Sequence, residues 1–260
     1  MFLVNDYIGG GEFINYEKKL LDQFETISKL GYVRSQYNGR GCIGRTFEYL
    51  VGLDGDSLAD PDYHGIEIKT KTRNRSSYKR YITLFSCIPN SKKQAIASLC
   101  ENYGFLNPES NLNEFNMGLY VGWKKPISEK YEVKLCLDLE KEKLFLFIYE
   151  NGKFIDKSIA WDLEYIKFKL LHKLQKLCYV IADEKKIQGD SFYHYNEIHF
   201  YLLKSFDRFV YLLEHCKIKV SFKIGRFKTG TRKGEIYDHG TSFDLREDYI
   251  DYLFEEFHPE

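Results

Sequence analysis

Between Pro61 and Lys71 the chain reads Pro-Asp-Tyr-His-Gly-Ile-Glu-Ile-Lys-Thr-Lys, and no other stretch restricts its fold as tightly. From Ile66 to Lys71 apolar and polar residues alternate, the period of a strand with one buried face. Ile66 and Ile68 then enter a core, while Glu67, Lys69 and Lys71 project from the opposite face. His64-Gly65 is a turn pair, so a hairpin or a bend can return the Asp62 carboxylate to a place beside Glu67. Two carboxylates converging next to an ammonium suit a hard divalent cation such as Mg2+, which takes oxygen ligands and needs only one or two carboxylates besides a substrate phosphate.

Such a group suits phosphodiester hydrolysis, in which a cation neutralises the scissile phosphate and a lysine positions water or stabilises developing charge. A solvated strand face gives the same alternation, so the rest of the chain has to decide between the two. With 260 residues, 43% of them hydrophobic, the chain can bury a sizeable core as one large domain or two lobes. Lys plus Arg and Asp plus Glu both number 38, so net charge points to no partner, and only local clustering can. Six widely spaced cysteines without a C-x-x-C pair argue against a zinc ribbon and suggest free thiols in a reducing cytoplasm. No apolar run reaches the roughly 18 residues of a membrane helix, and the N-terminus lacks a signal-peptide pattern.

After a glycine turn at residues 9–11, the apolar spacing of Leu20, Leu21, Phe24, Ile27 and Leu30 predicts a helix over 14–30, ended by Gly31. A short helix over 43–52 carries Glu48, a third acid ahead of Asp62; an ordinary exposed helix residue fits that pattern as well. Residues 69–80 are basic and rich in hydroxyls, with Lys71 and Arg73 nearest the acids, which suits contacts to phosphate and equally a solvated loop. Strands are predicted over 81–87, 118–123, 131–138 and 143–149, the last two extending the sheet as an antiparallel pair. Residues 89–116 read as a long connection around a helix at 92–101. A helix over 161–176 leads into a buried strand over 177–182, which implies a crossover onto the sheet. Asp183–Lys186 and Gly189 mark an exposed break, taken as the boundary between lobes 1–185 and 186–260. Beyond it, a helix over 198–216, a strand over 217–225 and a basic, glycine-punctuated loop over 226–234 precede a final acidic helix. Lys223, Arg226, Lys228, Arg232 and Lys233, with Phe227 and Tyr237 among them, suit a DNA-contacting hairpin or a solvated turn.

Gly44-Arg-Thr-Phe-Glu48, Asp60-Pro-Asp-Tyr-His-Gly-Ile-Glu-Ile-Lys-Thr70 and Ile224-Gly…Lys233-Gly…Asp238-His-Gly-Thr-Ser-Phe243, in this order, resemble the MvaI/BcnI family of Type II restriction endonucleases and, more distantly, the MutH-like nickases. The resemblance covers most of the chain. It implies an α/β (α+β) fold of the restriction-endonuclease-like PD-(D/E)XK type: a mixed β-sheet core flanked by helices, a catalytic lobe over 1–185 and a DNA-recognition lobe over 186–260. It also implies a monomer whose two lobes grip double-stranded DNA and whose single active site cuts the strands in separate events, in partnership with a methyltransferase of the same system. By this match Asp62, Glu67 and Lys69 are the catalytic residues and Glu48 the upstream acid. Glu48, Asp62 and Glu67 would hold Mg2+, which Mn2+ could replace, while Ca2+ would bind without supporting cleavage. Asp60 fits MutH-like spacing, whereas the five residues from Asp62 to Glu67 fit MvaI-like spacing. Tyr237 and His239 would lie near the minor groove or the backbone, and Asp238 would also contact DNA. Where the family pattern has arginines, this chain has Lys223 and Asp244, and an aspartate would accept from a cytosine amino group. A strand-specific nickase and a DNA-binding module without cleavage are the rival expectations.

Overall fold

The computed structural model describes residues 14–39, 41–53, 60–73, 81–91, 95–108, 111–238 and 240–260. In chain order, helix α1 (Tyr16–Lys29) is capped by Asn15, whose side chain accepts from the Lys18 amide at 2.8 Å. Strand β1 (Val33–Arg34) and helix α2 (Cys42–Leu50) lead to β2 (Ile66–Thr72). Then come β3 (Tyr81–Ser86), α3 (Ala95–Tyr103), β4 (Phe105–Asn107), β5 (Leu112–Leu119), β6 (Lys124–Pro126), β7 (Tyr131–Asp138), β8 (Lys143–Glu150) and β9 (Lys153–Asp162). Helix α4 (Leu163–Leu174) enters the hairpin β10 (Lys176–Ile187) and β11 (Asp190–Leu203). Helix α5 (Phe206–Glu214), β12 (Ile218–Arg226), β13 (Ile236–Asp238), β14 (Ser242–Arg246), the short α6 (Ile250–Leu253) and β15 (Phe254–Phe257) complete the order.

These elements form two compact units, each assembled from separated pieces of chain. Unit 1 takes Met1–Ser77, Lys173–Leu203 and Phe254–Glu260; unit 2 takes Tyr78–His172 and Lys204–Leu253. The expected boundary between 185 and 186 lies instead inside the β10–β11 hairpin, which pairs from Lys176↔Leu202 to Ile187↔Asp190. The polar run 183–186 simply continues β10, and Gln188-Gly189 is its turn, both with positive φ.

Unit 1 carries one mixed sheet in the order β1-β11-β10-β2, with β15 also on β11. Strands β10 and β2 are parallel, from Lys176↔Ile66 to Ala182↔Thr72, as the predicted crossover requires. Helix α1 packs on β11 and α2 on β2. Leu20, Phe24 and Ile27 of α1, Phe47 of α2, Ile66 and Ile68 of β2, and Cys178, Val180 and Ala182 of β10 fill the core between them. Burying each large apolar side chain contributes about 1.5–3 kcal/mol.

Unit 2 has two sheets, β3-β14-β12-β5-β4 with β13 on β12, and a separate antiparallel β6-β7-β8-β9. The β7–β8 hairpin therefore does not extend the sheet of unit 1. Across both units several predicted elements change type. Residues 198–203 are strand, not helix, because they pair with β10 and β15; the helix starts only at Phe206, capped by Ser205. Trp161 belongs to the end of β9 rather than opening a helix, and the 89–116 connection contains β4 and the first part of β5. The final acidic helix is a single turn before β15. All six cysteines are free, and no described helix is long and apolar enough to cross a membrane. The glycine turn at 9–11, residues 74–80 of the basic segment, the predicted helix start at 92 and His239 lie outside the described residues.

Candidate active site

The site is built by a two-residue turn. Tyr63 and Ile66 exchange backbone hydrogen bonds at 2.9 and 2.8 Å, and between them His64 (φ 44°) and Gly65 (φ 84°) both take left-handed backbone. Two successive positive φ values define the tight turn whose twist matches a hairpin. His64 is held in this costly conformation by its ring, which stacks on Tyr16 of α1 at 3.9 Å. The turn folds Asp62 back along β2, where its Oδ2 accepts from the Ile68 amide at 2.8 Å. Among the described residues β2 pairs only with β10, so this carboxylate satisfies an amide on the other edge of the strand.

Glu67, next in line, is fully buried. Lys69 of the same strand donates to its Oε1, and Lys173 Nζ lies 3.4 Å from Oε2, which has no hydrogen-bond partner among the described residues. Burial pushes the Glu67 carboxyl up to about 7, against the pull of the Lys69 charge and with a further push from Asp62. Glu48, half-buried on α2, is also raised by burial and then by Asp62, with Lys69, Arg45 and Lys173 acting the other way. Helix α2 approaches β2 through Gly44: a Cβ there would lie 3.2 Å from Thr70 Oγ1 and 3.5 Å from Glu48 Oε1. The glycine is what lets the helix carrying Glu48 come this close. Tyr195 fixes the start of α2 by donating to the Ile43 carbonyl at 2.7 Å.

The structure thus brings Glu48, Asp62, Glu67 and Lys69 into one electrostatic neighbourhood. It does not gather the three acids around a common point: among the described residues no three His, Cys, Asp or Glu side chains form a cation cage. The ammonium groups of Lys69 and Lys173 hold Glu67, and the Ile68 amide holds one oxygen of Asp62. What remains fits a hard cation of the Mg2+ type, because the Asp62 and Glu67 side chains offer carboxylate oxygens. Asp60 is exposed and lies before the turn. Lys173 was not anticipated from sequence. It belongs to a helical pattern, and only the parallel register of β10 on β2 carries that helix end to Glu67.

The expected DNA contacts divide sharply. In unit 1, Lys71 lies over the Tyr179 ring at 5.6 Å. Arg73 is tied to Glu197 at 2.7 Å, to Asn196 at 3.0 Å and to Asp183 at 3.2 Å. In unit 2, Arg226 braces the basic loop from inside, donating to the carbonyls of Asn113 at 3.1 Å and Gly234 at 2.7 Å. Asp244 is buried, accepting from Thr83 at 2.8 Å and Ser221 at 2.6 Å with Lys219 at 3.8 Å, which makes it a sheet cross-link. Asp238 closes its own turn by accepting from the Gly240 amide at 2.9 Å. Tyr237 lies against Gly225, where a Cβ would meet its hydroxyl at 3.0 Å. Lys223 is half-buried on β12, opposite Asn116 of β5. Lys228, Arg232 and Lys233 are exposed at the loop tip, with Arg232 over the Phe227 ring at 4.1 Å and paired with Glu235 at 2.7 Å.

Comparison with known proteins bears on the fold and the family. The solved structure of restriction endonuclease MvaI in complex with its cognate DNA superposes with a TM-score of 0.84 at 26% identity, over 95% of this chain and 99% of that one. MvaI in the absence of DNA gives a TM-score of 0.60, again at 26% identity, over 96% and 99% of the two chains. No curated protein matches the chain. The model of the MvaI/BcnI restriction endonuclease family matches residues 21–254, a span that takes in both compact units, and the chain belongs to that family.

Proposed function

We propose that the protein is a Type II restriction endonuclease that hydrolyses double-stranded DNA at a specific sequence in a Mg2+-dependent reaction. The observation that carries this reading is the turn at His64-Gly65, which sets Asp62 beside a strand bearing buried Glu67 and its partner Lys69. Asp62 and Glu67 would hold the cation, with Glu48 adding negative charge nearby rather than a third ligand. When bound there, such a cation neutralises the scissile phosphate and acidifies the attacking water. Lys69 orients that water and stabilises the charge that builds on the phosphoryl oxygens. Burial of Glu67 keeps bulk water from competing for its carboxylate. The tip residues Lys228, Arg232 and Lys233 supply sequence-independent attraction to phosphate. The protein acts as a monomer with one such site, cutting the two strands in turn, and works in the cytoplasm alongside a methyltransferase that protects host DNA. Mn2+ would replace Mg2+, and Ca2+ would bind without supporting cleavage.

The deciding experiment is digestion of long, unmethylated DNA with Mg2+, followed by sequencing of the product ends. Discrete fragments sharing one short motif at their ends are expected, and Lys69→Ala should lower the rate by on the order of 10²-fold or more. Nicked products alone would favour the strand-specific nickase. Binding without any cutting would leave only a DNA-binding module.

A further inference from the structure

Each oxygen of Glu67 faces its own ammonium group. Lys69 donates to Oε1, and Lys173 lies 3.4 Å from Oε2. The Glu67 side chain is 1% exposed, that of Lys173 16% and that of Lys69 26%. The two lysines come from different parts of the fold. Lys69 lies two residues along the same strand, whereas Lys173 occupies the last turn of α4, three residues before Lys176. Lys176 pairs with Ile66 at the start of the parallel ladder, so the register that joins β10 to β2 also delivers Lys173 to Glu67.

An ammonium that is the sole counter-charge of a buried carboxylate cannot leave it for reacting atoms without stranding that charge. A fully buried carboxylate that loses its only counter-charge is strongly destabilised. An ammonium at contact distance from Oε1 also cannot stay there once a cation takes that oxygen. Resting on the function proposed above, we propose that Lys173 is a positioning residue for cleavage: it holds Glu67 through Oε2 so that Lys69 can leave Oε1 and turn to the substrate when a divalent cation is bound. Lys173 stays in place because Oε2 is sealed from solvent and, among the described residues, accepts no hydrogen bond that could replace its charge.

The test compares the full-length wild type with Lys69→Ala, Lys173→Met and Lys173→Arg. In plasmid cleavage with Mg2+, Lys173→Met should lose at least tenfold in kcat with KM changed less than about twofold, and Lys173→Arg, which keeps the charge, should recover most of the loss. A second readout needs no turnover: acetylation of Lys69 by an N-hydroxysuccinimide ester, followed by peptide mass spectrometry. Ca2+ at concentrations that saturate its effect on Tm should raise Lys69 labelling several-fold in the wild type and leave it unchanged in Lys173→Met. If Lys173→Met does not fold, Lys173→Gln, which keeps a donor but no charge, takes its place in both assays. An unchanged kcat, or equal exposure of Lys69 by Ca2+ in wild type and variant, overturns the proposal. A wild type that does not cut, and that Lys69→Ala matches, strikes the nuclease reading instead, and the labelling comparison still decides the role of Lys173.

Discussion

Asp62 does two jobs at once, and they can be separated. Its Oδ2 satisfies the Ile68 amide, a charge-assisted bond of about 1.5–3 kcal/mol, while its charge contributes to the site. Asn at this position keeps an acceptor oxygen and loses the charge. Asp62→Asn should therefore hold its Tm within a few degrees of wild type but lose most of the rise in Tm that millimolar Ca2+ gives the wild type, as differential scanning fluorimetry will show. An identical Ca2+ response in the two proteins would remove Asp62 from the ligand set. Glu67 adds a pH signature. Its carboxyl is pushed up to about 7, mainly by burial, so a proton competes with the cation below that pH. The Ca2+-induced rise in Tm should be larger at pH 8 than at pH 6. Gly44 is the third sensitive residue: Gly44→Ala would press a methyl against Thr70 and should slow cleavage by displacing Glu48, with little loss of helix.

The strands at the margins of unit 1 are held by side chains that titrate. His199 of β11 bridges Glu256 of β15 at 2.6 Å and Glu197 at 2.8 Å. Burial opposes the imidazolium, but the two carboxylates outweigh it and raise the pKa. A raised histidine pKa gives stability that is fully present below the ordinary value of about 6.5 and is lost as pH climbs through the folded value. Urea midpoints should therefore fall from pH 6 toward pH 8, and His199→Gln should flatten that slope. In unit 2, the basic loop separates structural from available charge. Lys233→Ala should reduce the salt dependence of DNA binding by about one phosphate contact, whereas Arg226→Ala should lower Tm by unbracing the loop. Elements whose pattern is local were legible in the sequence: α1, α2, β2 and the β7–β8 hairpin all stand where periodicity places them. Those decided by distant partners were not. Residues 198–203 are an apolar run too short for period to settle, and pairing with β10 makes them strand. The acid-turn-acid-x-Lys core of the site was equally legible, because a two-residue turn encodes it locally. Lys173 was not, and neither were the protein partners that occupy Arg73, Arg226 and Asp244, since residue type reports charge but not what already neutralises it.

At the scale of the whole chain, neither unit is continuous in sequence. Strand β2 is separated in sequence from its parallel partner β10 by residues 78–172, which belong to unit 2. A chain ending at residue 172 retains β2 but lacks β10 and β11. Its β2 amides should exchange with deuterium at unprotected rates, and it should cut no DNA. The same arrangement has a meaning during synthesis. Glu67 and Lys69 leave the ribosome early, on a strand whose parallel partner follows only after roughly a hundred further residues have been translated. Under the function proposed above, unfinished chains would carry Glu67 and Lys69 without the strand that sets them in place, and so would be unable to cut.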